Sequence, residues 1–113
     1  MSCIFCKIAA GELGTKFIYE SDDIVAFRDL NPQAPQHILI IPREHIEKVS
    51  DLQEKHLNIA GKLLLAAQKI AQKENLAEDG FRLVINNGKN AGQEVMHIHM
   101  HLLGGRKMNW PPG

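Results

Sequence analysis

The rhythm of apolar and polar positions divides the chain into five short strand-like stretches and one long amphipathic one. "CIFCKIAAGEL", Cys3 to Leu13, has the form of a short helix or turn, ended near Gly11 and Gly14. "KFIYES" and "DIVAFRDL" (Lys16 to Ser21, Asp23 to Leu30) predict two strands with a tight turn at Ser21-Asp22-Asp23, a hairpin. Asn31 to Pro35 is a loop, because its two prolines break both a helix and a strand ladder. "HILIIP", His37 to Pro42, is continuously apolar, which predicts a strand buried on both faces. Ser50-Asp51-Leu52-Gln53 has capping-box form with Ser50 as the cap, so one long helix is expected from there to about Asn75. Leu52, Ile59, Leu63, Ala67 and Ile70 form its apolar stripe, with lysines and glutamines opposite. "GFRLVINN" and "EVMHIHMHLLGG" predict two more strands, joined by the polar loop Gly88 to Gln93. The expected fold is α+β: an antiparallel sheet of about five strands, covered on one side by the long helix, with a short N-terminal helix.

Composition narrows the classes of function. At 113 residues and 44% apolar content, one domain over residues 1–113 is expected, with 106–113 an irregular tail ending in "MNWPPG". Thirteen basic and thirteen acidic residues give a net charge of zero without a basic run, which argues against general nucleic-acid or anionic-membrane partners. No apolar stretch approaches the roughly 20 residues of a membrane span. The start "MSCIFCKIAAGEL" lacks a basic region and a long apolar core, so it does not read as a signal peptide. A cytoplasmic home with two reduced cysteines is expected.

Half of the six histidines fall in five residues: His97, His99 and His101. On a strand, alternate side chains share a face, so the three would line one side while Met96, Ile98, Met100 and Leu102 pack beneath the helix. A lone strand histidine is ordinarily a satisfied or solvated polar residue. Three on one face suggest proton transfer, nucleophilic attack or metal binding. At about 3.3 Å per residue, His97 and His101 stand roughly 13 Å apart along a straight strand. Zinc ligands must all sit about 2.1 Å from one ion, so the row must split its roles.

"HIHMHLL" fits the pattern His-φ-His-φ-His-φ-φ, φ being apolar, and so resembles the histidine triad superfamily of nucleotide hydrolases and transferases. "IFCKIAAGEL", "AFRDLNPQAPQHILIIPREHI", "GFRLVINNG", "GQEVMHIHMHLLGGR" and "MNWPPG" are similar, in order and separation, to the histidine triad nucleotide-binding protein branch. That resemblance spans essentially the whole chain. It implies a purine nucleoside phosphoramidase, releasing AMP from adenosine 5′-phosphoramidates and from aminoacyl or lysyl adenylates through a nucleotidyl-histidine.

The resemblance also implies roles for residues. His99 is the nucleophile, a neutral imidazole that splits one hard displacement into two easier ones. Its second ring nitrogen must be held by a carbonyl or another histidine. His37 matches the position tied to that task, and His101 would bond the α-phosphate as charge builds. Asn86, Gly92 and Gln93 match positions that contact the nucleotide, with Leu30, Glu94 and Val95 beside them; the glycines would shape a nest of N–H groups for an anion. The same loop, taken without its neighbours, is a plain Gly-rich turn. Asp29 matches the carboxylate that receives the ribose hydroxyls, although an aspartate before Pro32 is also an ordinary turn cap. Phe5, Ile8, Phe27 and Leu30 form a purine slot or plain core. Glu94 departs from the serine that eukaryotic members often carry near the leaving amine, which disfavours acidic substrates.

Cys3 and Cys6 form a C-x-x-C pair without the preceding strand of a redox motif. They are two inert thiols or half of a zinc site. The resemblance to bacterial histidine triad proteins with a "C-x-F-C-x-I" start implies a structural zinc on Cys3, Cys6, His45 and His97, and no catalytic metal. His97 would then look away from catalysis. His56 falls on the polar side of the helix and is expected to be solvated. A homodimer is implied, with Trp110, the only tryptophan, walling the leaving-group side of the partner's site. Two alternatives remain open: a dinucleotide polyphosphate hydrolase or nucleotidyl transferase of a sister branch, and a non-catalytic nucleotide-binding scaffold.

Overall fold

A computed structural model describes residues 3–113. Five antiparallel strands form one sheet in the order β1-β2-β3-β5-β4. They are β1 (Tyr19–Glu20), β2 (Ile24–Arg28), β3 (Gln36–Pro42), β4 (Phe81–Val84) and β5 (Met100–Gly104). The helices are α1 (Ile4–Ala9) and α2 (Leu57–Lys73). The expected α+β architecture is therefore the observed one.

Strand periodicity builds two apolar layers on opposite faces. Ile24, Ala26, Ile38, Ile40, Met100 and Leu102 pack against Leu63, Ala66, Ala67, Ile70 and Ala71 of α2. Val25, Phe27, Leu39 and Ile41 meet Phe5, Ile8 and Ala9 of α1 on the other face. The register pairs Val25 with Ile41 and Phe27 with Leu39, which keeps each layer contiguous across the sheet. β3 is buried on both faces, as its unbroken apolar run predicts. Among the described residues, no helix is long and apolar enough to cross a membrane.

Several boundaries differ from the sequence pattern. β1 shrinks to two residues at the sheet edge, although the Ile18 N–H still donates to the Ala26 carbonyl. The long helix starts at Leu57, not behind Ser50, because extended backbone at Leu52 and Gln53 interrupts two short 3-10 turns. The capping box is consequently Gln53 with His56, each side chain taking the other's backbone N–H. The Ser50 N–H instead reaches Asn87 Oδ1 at 2.8 Å. His56 is buried rather than solvated, its Nε2 3.3 Å from Glu44 Oε2.

β5 holds only the last histidine of the row. Its pairing with β3 begins at Met100 opposite Ile40, and upstream the chain bends away to donate Ile98 N–H to the Ile46 carbonyl. Met100 and Leu102 lie under α2 as expected, whereas Met96 is exposed. That bend is what separates the environments of three evenly spaced histidines.

Candidate active site

A cavity of about 560 Å³ opens on the α1 face of the sheet, over the ends of β2, β3 and β5. Phe5 and Ile8 from α1 and Phe27 from β2 form its apolar wall. Phe5 stands edge-on to Phe27, with ring centroids 5.7 Å apart. Asp29 and Leu30 follow β2 at the rim, and Leu30 is fully exposed. Asn86, Gly92, Glu94 and Val95 close the other side. His37, His99 and His101 face the same space. His97 does not line it.

Hydrogen-bond partners set the tautomer of each imidazole. His99 Nδ1 lies 2.8 Å from the His97 carbonyl, an obligate acceptor, so Nδ1 carries the proton and Nε2 keeps its lone pair. The Gln33 N–H donates to His37 Nδ1 at 3.0 Å, which leaves the proton on His37 Nε2. That proton points to His101 Nδ1 at 2.9 Å, so His101 presents an Nε2–H donor. His99 and His101 therefore offer a lone pair and an N–H, with ring centroids 5.1 Å apart. Burial lowers the His37 pKa, against the pull of Asp29. Burial, with the neighbouring His99 and His37, pushes His101 down to about 4, so it is neutral at pH 7. Asp29 Oδ2 stands 3.5 Å from His37 Nε2, while Oδ1 accepts the Asn31 N–H at 2.8 Å.

Cys3, Cys6, His45 and His97 converge in a second cluster behind α1, with donor atoms within 4.8 Å of one another. Cys3 Sγ is 3.4 Å from His97 Nδ1, and Cys6 Sγ is 3.2 Å from His45 Nδ1. Four ligands at about 2.0–2.3 Å from zinc stand roughly 3.5 Å apart, so the spacing fits a tetrahedral ion. The His97 tautomer agrees: its Nε2–H donates to the Pro42 carbonyl at 2.8 Å, which turns the Nδ1 lone pair toward the sulfurs. Burial raises the Cys6 pKa. A cation between the sulfurs would oppose that shift.

Two expectations for the loop are corrected. Gln93 lies outside the cavity lining; its amide receives the Gly88 N–H at 2.8 Å and donates to the Glu47 carbonyl at 2.7 Å and the Val95 carbonyl at 3.0 Å. Nor is the loop an open anion nest, since the Gly92 and Gln93 N–H groups bond the Lys89 and Gly88 carbonyls. A short loop turning through left-handed Gly88 and Gly92 (φ 80° and 79°) needs those bonds to hold its own shape. Trp110 is 82% exposed and does not line this chain's cavity. Its segment is tied by Arg82 to the Asn109 carbonyl at 3.0 Å, and Arg106 reaches the Gln33 carbonyl at 3.0 Å.

Ile4, Thr15, Arg28, Asn31, Gln33 and Leu39 also line the cavity, and none of them was expected there from the sequence. The signal for Gln33 was present: it sits between two prolines, four residues before His37.

A family model for the HIT domain matches residues 10–108. A 14 kDa zinc-binding protein of Zea mays is 51% identical over 112 residues, covering 97% of this chain and 87% of that protein. A purine nucleoside phosphoramidase of Escherichia coli is 50% identical over 105 residues, covering 93% and 88% respectively. The crystal structure of a HIT family hydrolase from Legionella pneumophila superposes with a TM-score of 0.97 at 51% identity, covering 99% of this chain and 100% of that one.

Proposed function

The chain belongs to the HIT family, and from that premise we propose that it is a purine nucleoside phosphoramidase. One observation carries the reading: His99, its Nδ1 held by the His97 carbonyl, turns Nε2 into an apolar-walled cavity, beside the Nε2–H of His101. The half-identical phosphoramidase and the HIT hydrolase structure support the same reading.

In this reading the purine lies against Phe5, Ile8 and Phe27, with Leu30 and Val95 at its margins. Asp29 keeps Oδ2 available for the ribose hydroxyls while Oδ1 holds the turn at Asn31. His99 Nε2 attacks the α-phosphorus as the P–N bond breaks, and the amine leaves with a proton taken from solvent. His101 donates its Nε2–H to a phosphoryl oxygen as negative charge builds there. Water then attacks the nucleotidyl-histidine, its proton returns to solvent, AMP departs, and the Nε2 lone pair of His99 is restored. The Gln33–His37–His101 relay keeps the donor aimed without carrying a charge. Asn86, Gly92 and Glu94, which line the same cavity, are the remaining nucleotide contacts of this reading.

Cys3, Cys6, His45 and His97 would hold zinc as a closed set of four, which fixes structure and leaves no position open for substrate. The relative named as zinc-binding supports this. The reading extends to a homodimer that covers edge strand β4, where Phe81 and, just past its end, Ile85 are exposed, and the exposed Leu57, Leu64 and Leu65 of α2. Trp110 would then wall the leaving-group side of the partner's site.

Turnover of an adenosine 5′-phosphoramidate, with release of AMP and free amine, tests the function. Cleavage of a dinucleotide polyphosphate in its place would assign the chain to a sister activity. Binding of AMP with no turnover of either would make it a scaffold.

A further inference from the structure

The ring of His97 turns away from the cavity, with Nδ1 toward Cys3 and Cys6. Its backbone does not. The carbonyl of His97 is the acceptor that fixes the ring of His99 at 2.8 Å. One residue thus offers its side chain to the thiol cluster and its main chain to the candidate nucleophile.

A second connection runs through α1. Cys3 caps this helix and Cys6 lies within it, and Phe5 between them stands edge-on to both His97 and His99, with centroids 5.9 and 5.1 Å away. Phe5 also walls the cavity. A helix of six residues has little stability of its own, so its seat depends on what anchors it. Phe5, Ile8 and Ala9 bury one side, Arg43 holds the Ala9 carbonyl at 2.8 Å, and the two cysteines face His45 and His97.

We propose that His97 is a positioning residue for His99, and that its hold, together with the seat of Phe5, depends on the Cys3–Cys6–His45–His97 group being joined by a metal ion. A ring clamped at Nδ1 and braced at Nε2 by the Pro42 carbonyl cannot rotate, so the peptide that follows it presents its carbonyl in one direction. Released at Nδ1, His97 keeps the Pro42 bond and α1 keeps its buried side chains and Arg43, but the link that joins the two is lost. The His99 proton then exchanges between its two nitrogens, and the apolar wall loosens. The inference uses the nucleotide-site reading only in choosing AMP as a probe.

The test compares zinc-loaded protein, chelator-stripped protein, and the variants His45→Asn and His45→Cys. His45 is outside the cavity lining, so its replacement touches neither His99 nor the apolar wall. With ¹⁵N-labelled histidine, the loaded protein should show His99 as a single Nδ1–H tautomer. The stripped protein and His45→Asn should show averaged ring nitrogens and an AMP affinity lower by about 10- to 100-fold, with the sheet intact by circular dichroism. His45→Cys, which restores a ligand, should recover both readouts on adding zinc. Unchanged His99 shifts or unchanged AMP affinity in folded, stripped protein overturns the proposal. Complete unfolding on metal removal also overturns it, because the metal then holds the whole fold and not the site. If AMP binds neither form, the nucleotide reading fails and the His99 shifts alone decide.

Discussion

The two ends of the histidine row have the same residue type and the same spacing, yet they occupy different chemical worlds. At one end, His97 is fully buried, donates through Nε2 to the Pro42 carbonyl and faces two thiols. At the other, His101 is half-buried on β5, accepts from His37 and turns an N–H into the cavity. His99 lies between them with the reverse arrangement, Nδ1 engaged and Nε2 free. An imidazole's role is set by whichever group claims its other nitrogen. Three neighbours (a proline carbonyl, a histidine carbonyl and a histidine ring) therefore leave three different atoms free: Nδ1 of His97 toward the thiols, Nε2 of His99 toward the cavity and the Nε2–H of His101 toward the cavity.

The largest effect should fall on the middle residue. His99→Ala is expected to lower phosphoramidase kcat by roughly 10⁴-fold or more while AMP affinity changes only a few-fold, since nucleophile and binding wall are separate groups. Single-turnover kinetics and calorimetry on the same samples check this. Retention of near-native turnover would remove His99 from the covalent step.

The two ends should then fail in opposite ways. His101→Ala is expected to reduce kcat by about 10²- to 10³-fold, the usual effect of losing one donor to a developing oxyanion, with metal content unchanged. Cys3→Ser should cost most of the bound zinc and lower the melting temperature, at about 4 °C per kcal/mol of lost stabilisation. Elemental analysis, thermal melts and turnover measured on both variants would break the comparison if the two signatures coincided.

Acid should also distinguish the ends. His101 is pushed from 6.5 down to about 4 by burial and by its neighbouring histidines, so between those values the unfolded chain binds more protons than the folded one. Stability therefore rises with pH through that window and is lost as pH falls from about 6.5 to 4. His37 shifts in the same direction and adds to the slope. In metal-stripped protein, His101→Asn should flatten the dependence of melting temperature on pH. An equal slope in variant and parent would contradict the buried-neutral assignment.

The smallest effect concerns Asp29, which touches the cavity end of the row alone. Asp29→Ala should raise KM for the ribonucleotide substrate about 10-fold and leave the 2′-deoxy substrate nearly unaffected, because only the former loses a bonded hydroxyl. Equal losses on both substrates would mean that Asp29 acts by orienting His37 and not by holding the ribose.

Much of this molecule is written in local order. Alternation along "DIVAFRDL" and "HILIIP" sorted Ile24, Ala26, Ile38 and Ile40 onto one face and Val25, Phe27, Leu39 and Ile41 onto the other. Leu63, Ala67 and Ile70 supplied the helix stripe that covers the first layer. Spacing alone also required the histidine row to split, since no single ion can span it. The resemblance also grouped Cys3, Cys6, His45 and His97, whose donor atoms lie within 4.8 Å of one another, and Asp29, His37, Asn86, Gly92, His99 and His101, which line one cavity.

Other features were decided by tertiary contact. Where α2 begins depended on a buried His56 pairing with Gln53, and a polar residue on a helical wheel carries no mark of burial. Gln93 looked like a nucleotide contact because its type and loop suit one, but the Glu47 and Val95 carbonyls were nearer. The roles along the histidine row followed the same rule. Pro42 lies 55 positions from His97, and His37 lies 64 from His101. Side-chain periodicity reports which face a residue takes, because that is a property of the backbone within a few residues. Which atom meets a ring nitrogen depends on how distant segments pack, and no pattern of neighbours along the chain encodes it.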